Sequence, residues 1–68
     1  MKLNNEIRKR RERLCLSQEE LGAASGFSQQ EISYIELGQR KRFTMEELSR
    51  LAKALKITVT TLLKAAGE

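Results

Sequence analysis

The sequence predicts an all-α protein, a compact bundle of five short helices forming one domain over residues 1–68, and three observations carry that prediction. Proline is absent from the 68 residues, and β-branched side chains are sparse before Ile57, so nothing favours strands. A hydroxyl followed three residues later by glutamate recurs at Ser17 and Glu20, Ser28 and Glu31, and Thr44 and Glu47. In such a capping box the hydroxyl accepts from the N3 amide and the carboxylate accepts from the N-cap amide, so each repeat marks a helix start. Finally, each box is flanked by the apolar pair of a hydrophobic staple: Leu16 with Leu21, Phe27 with Ile32, Phe43 with Leu48.

Taken in order, a first helix is expected over about 5–14, with Ile7 and Leu14 on one face and basic residues over the rest. The second, about 18–25, starts from Ser17 and is closed by Gly26, which reaches the left-handed conformation without steric cost. The third, about 29–37, starts from Ser28 and is closed by Gly38. The fourth, about 45–55, starts from Thr44. The fifth, about 59–66, follows Thr58, where Ile57 and Leu62 repeat the staple without the glutamate. The expected core is Leu21, Ala24, Phe27, Ile32, Ile35, Leu48, Leu51, Leu55, Val59 and Leu62. Gly22 is expected to allow close approach between the second and third helices.

Composition narrows the function. A chain with one cysteine and no histidine has no internal disulfide, no zinc cluster and no imidazole base, and Cys15 has no histidine to activate it as a nucleophile. No catalytic step, metal, cofactor or small-molecule ligand is expected. There is neither a membrane-length apolar run nor a signal-like start, so a cytoplasmic location is expected. The net charge of +4 is unevenly placed. Lys2, Arg8, Lys9, Arg10, Arg11 and Arg13 outweigh Glu6 and Glu12; residues 14–38 carry only Glu19, Glu20, Glu31 and Glu36; Arg40, Lys41 and Arg42 follow. Two basic blocks around an acidic middle suit either solvated helix faces or two grips on a polyanion.

Helices of eight or nine residues are marginal alone and must pack together. Two of them joined by Gly26-Phe27-Ser28 make a helix-turn-helix, whose second helix can enter the DNA major groove. On a wheel of about 100° per residue, Ile32, Ile35 and Glu36 share one arc of the third helix, and Gln29, Gln30, Ser33, Tyr34 and Leu37 share the other. The outward face is polar and uncharged. Glutamine amides can read adenine in bidentate fashion, making Gln29 and Gln30 the leading base readers, Ser33 and Tyr34 secondary ones, and Ser28 a contact near a phosphate or base edge. The alternative is a solvated polar face. Glu31 is explained by its capping box, although it could also accept from cytosine N4.

From Ser17 to Gly38 the chain reads SQEELGAASGFSQQEISYIELG, and this stretch resembles the Cro/cI-type, or XRE-type, helix-turn-helix family of phage and bacterial repressors. The resemblance runs from about Ile7 to Leu63 and includes Leu48, Leu51, Ala52 and Leu55. It implies that Gln18 and the amides of its helix N-terminus bind a phosphate. It further implies that Arg11 and Glu36 form a partly buried ion pair orienting Arg11 beside the DNA backbone, that Arg40, Lys41 and Arg42 meet that backbone, and that Gln29, Gln30 and Tyr34 touch bases. Arg10 departs from the pattern, standing where many relatives have an apolar residue. Cys15 and Lys56 stand where glycine is common; left-handed geometry there costs on the order of 1 kcal/mol each.

The resulting expectation is a sequence-specific regulator that binds double-stranded DNA and acts as a repressor at a palindromic operator. One recognition helix reads few base pairs, so a weak homodimer is expected, formed in solution or only on DNA, with half-sites about 34 Å apart. Ile57, Thr58, Val59, Leu63 and Ala66 are its candidate surface; completing the core is their other role. An antitoxin or a restriction-modification controller would use the same DNA face, whereas a protein-interaction module on this fold would not need Gln29 and Gln30.

Overall fold

A computed structural model describes residues 2–40 and 42–67, with the side chains of Lys2 and residues 65–67 outside the description. Its elements are α1 (Lys2–Arg13), α2 (Gln18–Ser25), α3 (Gln29–Glu36), α4 (Met45–Ala54) and α5 (Val59–Gly67), and no strand occurs among the described residues. Helix α1 packs on α5 and α3, α2 packs on α3 and α4, and α4 closes against α5. The core between them is made by Leu3, Ile7, Leu21, Phe27, Ile32, Ile35, Leu48, Leu51, Ala52, Leu55 and Leu62.

All three capping boxes form, each hydroxyl accepting from the N3 amide and each N3 glutamate accepting from the N-cap amide. A variant stands before α5. The Thr58 hydroxyl accepts from the Thr61 amide at 3.0 Å, and the two threonine hydroxyls bond at 2.9 Å in place of the carboxylate's return bond. Helix α1 has no such box, so its start had no marker; it begins three residues before the expected Asn5, and Leu3 extends the buried stripe through Ile7.

The first four helices end alike. A residue of positive φ follows each one: Cys15 (59°), Gly26 (81°), Gly38 (78°) and Lys56 (63°). The next amide then reaches back five residues: Leu16 to Arg11, Phe27 to Gly22, Gln39 to Tyr34, Ile57 to Ala52, all at 2.9–3.1 Å. This is the long bond of the Schellman ending, which satisfies carbonyls orphaned at a helix C-terminus.

Two expected core positions are corrected. Ala24 is exposed and Ser25 is buried instead. At about 100° per residue the inward arc of α2 passes through Leu21, Gly22 and Ser25, leaving Ala24 outside. Ser25 tolerates burial because its hydroxyl donates to the Leu21 carbonyl at 2.7 Å. Val59 is only half-buried, packed at the margin of the core. Gly22 does meet a close approach: a Cβ there would lie 2.6 Å from the Phe27 carbonyl oxygen, so the backbone of the α2–α3 turn fits against α2 only where a side chain is missing.

Candidate nucleic-acid interface

Helix α3 is held from below by Ile32, Ile35 and Glu36, all buried. That inward set leaves Gln29, Gln30 and Tyr34 on the surface, with Ser33 half-buried between them. Tyr34 is 49% exposed and Leu37, at the helix end, 66% exposed, so two large apolar groups border the polar face. A shallow hollow of about 480 Å³ beside them is lined by Glu31, Tyr34, Gln39 and Arg40.

A hydrogen-bonded chain runs from the interior to this surface. Arg11 Nε donates to Glu36 Oε2 at 2.6 Å and its Nη2 to Glu36 Oε1 at 3.1 Å, a bidentate pair whose side chains are 12% and 4% exposed. Arg11 Nη1 also donates to the Leu16 carbonyl at 2.7 Å. The Glu36 hydrogen bond raises the Arg11 guanidinium above its ordinary pKa, so the arginine stays charged throughout the working range. Glu36 Oε1 accepts a further bond from Gln18 Nε2 at 3.1 Å, and Gln18 Oε1 accepts from Gln29 Nε2 at 3.2 Å. Residues from α1, α2 and α3 are thereby joined in one network.

Ser28 is committed to its cap through its oxygen, which accepts from the Glu31 amide at 3.1 Å, while Glu31 Oε1 accepts from the Ser28 amide at 2.8 Å. The Ser28 hydroxyl proton and the second Glu31 oxygen remain available among the described contacts. At the far end of α3, Asn4 Nδ2 donates to the Glu36 carbonyl at 3.0 Å, so α1 also secures the C-terminus of the helix. No sequence motif pointed to Asn4; its long-range partner exists only once α1 crosses α3.

The basic loop divides into different environments. Arg40 is drawn onto the domain: its Nη2 donates to Glu47, its Nε to the Arg42 carbonyl at 3.2 Å, and its guanidinium lies 5.0 Å from the Phe43 ring centre and 5.6 Å from that of Phe27. Arg42 is exposed, and Lys41 lies outside the described residues. Sequence reasoning passed over Arg50. Its Nε donates to the Ser25 carbonyl at 2.8 Å and its guanidinium sits 4.7 Å from the Phe27 ring centre, tying α4 to the end of α2. Phe27 at the turn could have suggested a stacked cation, but nothing local identified which arginine would supply it.

The residues considered for self-association lie around the start of α5. Ile57 and Val59 are half-buried against the core, Thr58 is exposed and engaged in capping, and Leu63 is 41% exposed. The Ala66 side chain lies outside the description. Among the described residues, no cluster of three metal-ligating side chains occurs and no helix is long and apolar enough to cross a membrane.

A five-helix bundle whose second and third helices meet at a glycine-containing turn, with a polar outward face on the third, defines the helix-turn-helix class of DNA-binding regulators. Within that class, the helix-turn-helix family model of the XRE, Cro/cI-like type matches residues 7–62, and the chain belongs to this family. It is a DNA-binding transcription regulator of the XRE type, with double-stranded DNA as its partner. No curated protein matches it significantly in sequence.

Proposed function

We propose that the chain represses transcription by occupying a palindromic operator as a homodimer, each subunit placing α3 in the major groove. The observation that carries this reading is the Arg11–Glu36–Gln18–Gln29 network, because it pre-sets a base-reading amide. Gln29 spends one amide proton on Gln18 and keeps its second proton and its oxygen, the pair needed to donate to adenine N7 and accept from N6. Gln18 likewise keeps one amide proton for a phosphate at the N-terminus of α2, where the backbone amides favour an anion. Restricting these rotamers before binding lowers the ordering cost on DNA. Gln30, Ser33 and Tyr34 read neighbouring positions, and the Ser28 hydroxyl and Arg42 meet the backbone, joined by Lys41 and, once released from Glu47, by Arg40. Arg11 acts by holding Glu36 through two of its donors and the Leu16 carbonyl through a third.

A short α3 reads only a few base pairs, so a second subunit supplies the remaining specificity. The surface proposed for that pairing is on α5, with Leu63 at its centre and Thr58 and Val59 beside it. The domain then acts by occlusion and has no chemical step. Selection of duplexes from a randomised DNA pool at near-physiological salt tests the whole reading. An inverted repeat with half-site centres about one helical turn, or 34 Å, apart supports it. Enrichment of a single half-site leaves specific reading but removes the dimer; no enrichment by folded protein at micromolar concentration rejects specific DNA recognition by this chain.

A further inference from the structure

A second concave surface lies between the C-terminal end of α1 and the α4–α5 turn. It is an open hollow of about 210 Å³ lined by Arg10, Arg13, Leu14, Leu55, Lys56 and Ile57, room for one large side chain. We propose that this groove docks an acidic segment of a partner protein, with one apolar side chain of that segment seated on Leu14, Leu55 and Ile57 and its carboxylates on Arg13 and Lys56.

Charge complementarity selects the occupant. Three of the six lining residues are cationic and none is acidic. Arg10 is held along the wall by Glu6, while no carboxylate among the described residues lies within ion-pair distance of Arg13 or Lys56. An apolar floor with a cationic rim matches a segment that alternates acidic and bulky apolar residues. It suits a nucleic-acid strand less well, since phosphates gain nothing from Leu14, Leu55 and Ile57. It also disfavours a symmetric second copy, because a two-fold interface through the groove would oppose identical cations.

Backbone geometry singles out the same place. Among the described residues, the two of positive φ other than glycine, Cys15 and Lys56, are at this edge of the molecule, one directly after Leu14 and one inside the lining. Glycine would adopt the left-handed turn at position 56 without strain, whereas lysine adds a cation to the rim. Strain retained at a binding surface is a recurring arrangement.

The test is selection of random dodecapeptides displayed on phage against the full chain, followed by affinity measurement with the enriched peptides made synthetically. The expected peptides combine several Asp or Glu with one or two large apolar residues. Lys56→Gly removes the rim charge while relieving the turn, so it should melt no lower than the parent yet bind these peptides about tenfold more weakly; Arg13→Glu should weaken them at least as much. The proposal is overturned if no peptide enriches, if enriched peptides lack acidic residues, or if both variants keep full peptide affinity. It is overturned equally by a Lys56→Gly protein that melts lower than the parent, which would make the lysine structural. Displacement of the peptides by duplex DNA would assign the groove to nucleic acid, and a change in self-association of Arg13→Glu on sedimentation would assign it to a second copy; either result replaces the acidic partner.

Discussion

Glu36 has one carboxylate and three side-chain donors on it, two from Arg11 and one from Gln18. Its substitution therefore acts on stability and on recognition by separate routes. Glu36→Gln loses the charge that compensates the enclosed Arg11 and should cost about 1–3 kcal/mol, read as a lowered urea midpoint. Replacing both partners, Arg11→Met with Glu36→Leu, removes the uncompensated charge and should restore much of that stability. Operator affinity should stay reduced in the double variant, because Gln18 and Gln29 have lost their anchor. Recovery of DNA affinity together with stability would show that the pair serves the fold alone. Gly22 is a second residue with a defined cost. Alanine favours helix, but its Cβ would meet the Phe27 carbonyl at 2.6 Å, and a backbone atom cannot rotate away. Gly22→Ala should lose about 1–3 kcal/mol, lowering the melting temperature by at least about 4 °C.

The helices are delimited by chemistry at their ends more than by the propensity of their middles. Each capping glutamate satisfies an N-cap amide, and Glu47 at the start of α4 has a further role through Arg40. The Thr44 amide first, and the Arg40 guanidinium second, hold the Glu47 carboxyl below its ordinary value of 4.5. Its contribution to stability is present above that ordinary value and is lost as the pH falls through its lower folded value. Glu47→Gln keeps an acceptor for the Thr44 amide but cannot titrate. Thermal midpoints measured from about pH 6 to about pH 3 should consequently fall less steeply for Glu47→Gln than for the parent. Equal slopes would mean that neither the Thr44 amide nor Arg40 favours the charged Glu47 carboxylate in solution. The endings of α1 and α4 carry the opposite signature, since Cys15 and Lys56 occupy left-handed turns that Gly26 and Gly38 adopt without strain.

At the scale of the whole molecule, the distribution of charge sets how DNA binding responds to salt. If the proposed dimer makes about three phosphate contacts per subunit, the slope of log affinity against log salt should be near −5. A slope close to zero would reject Arg40, Lys41 and Arg42 as backbone contacts. The Glu47 and ring contacts of Arg40 bear on the same measurement, because a cation retained by the domain releases no counterion. A slope nearer −4 would be read as Arg40 staying on the domain. The measurement must be made at several salt concentrations, since a single affinity does not separate these contacts from base reading.

By itself the sequence determined the helix starts of α2, α3 and α4, the glycine endings of α2 and α3, and most of the core. All of these depend on groups within a few residues of one another: a hydroxyl and a carboxylate three apart, or an apolar stripe with helical period. The partition of α3 into a buried arc and a polar face was legible for the same reason. Tertiary structure decided what crosses between helices. Asn4 securing the end of α3, Arg50 stacking on Phe27, Arg40 turning toward Glu47, and Gln18 joining Gln29 to Glu36 pair residues 7 to 32 positions apart. These partners can be chosen only when the packed helices bring them within bonding distance. The Arg11–Glu36 pair was expected from family resemblance, but its near-complete enclosure and its continuation to Gln29 at the start of α3 follow from the packing of α1, α2 and α3.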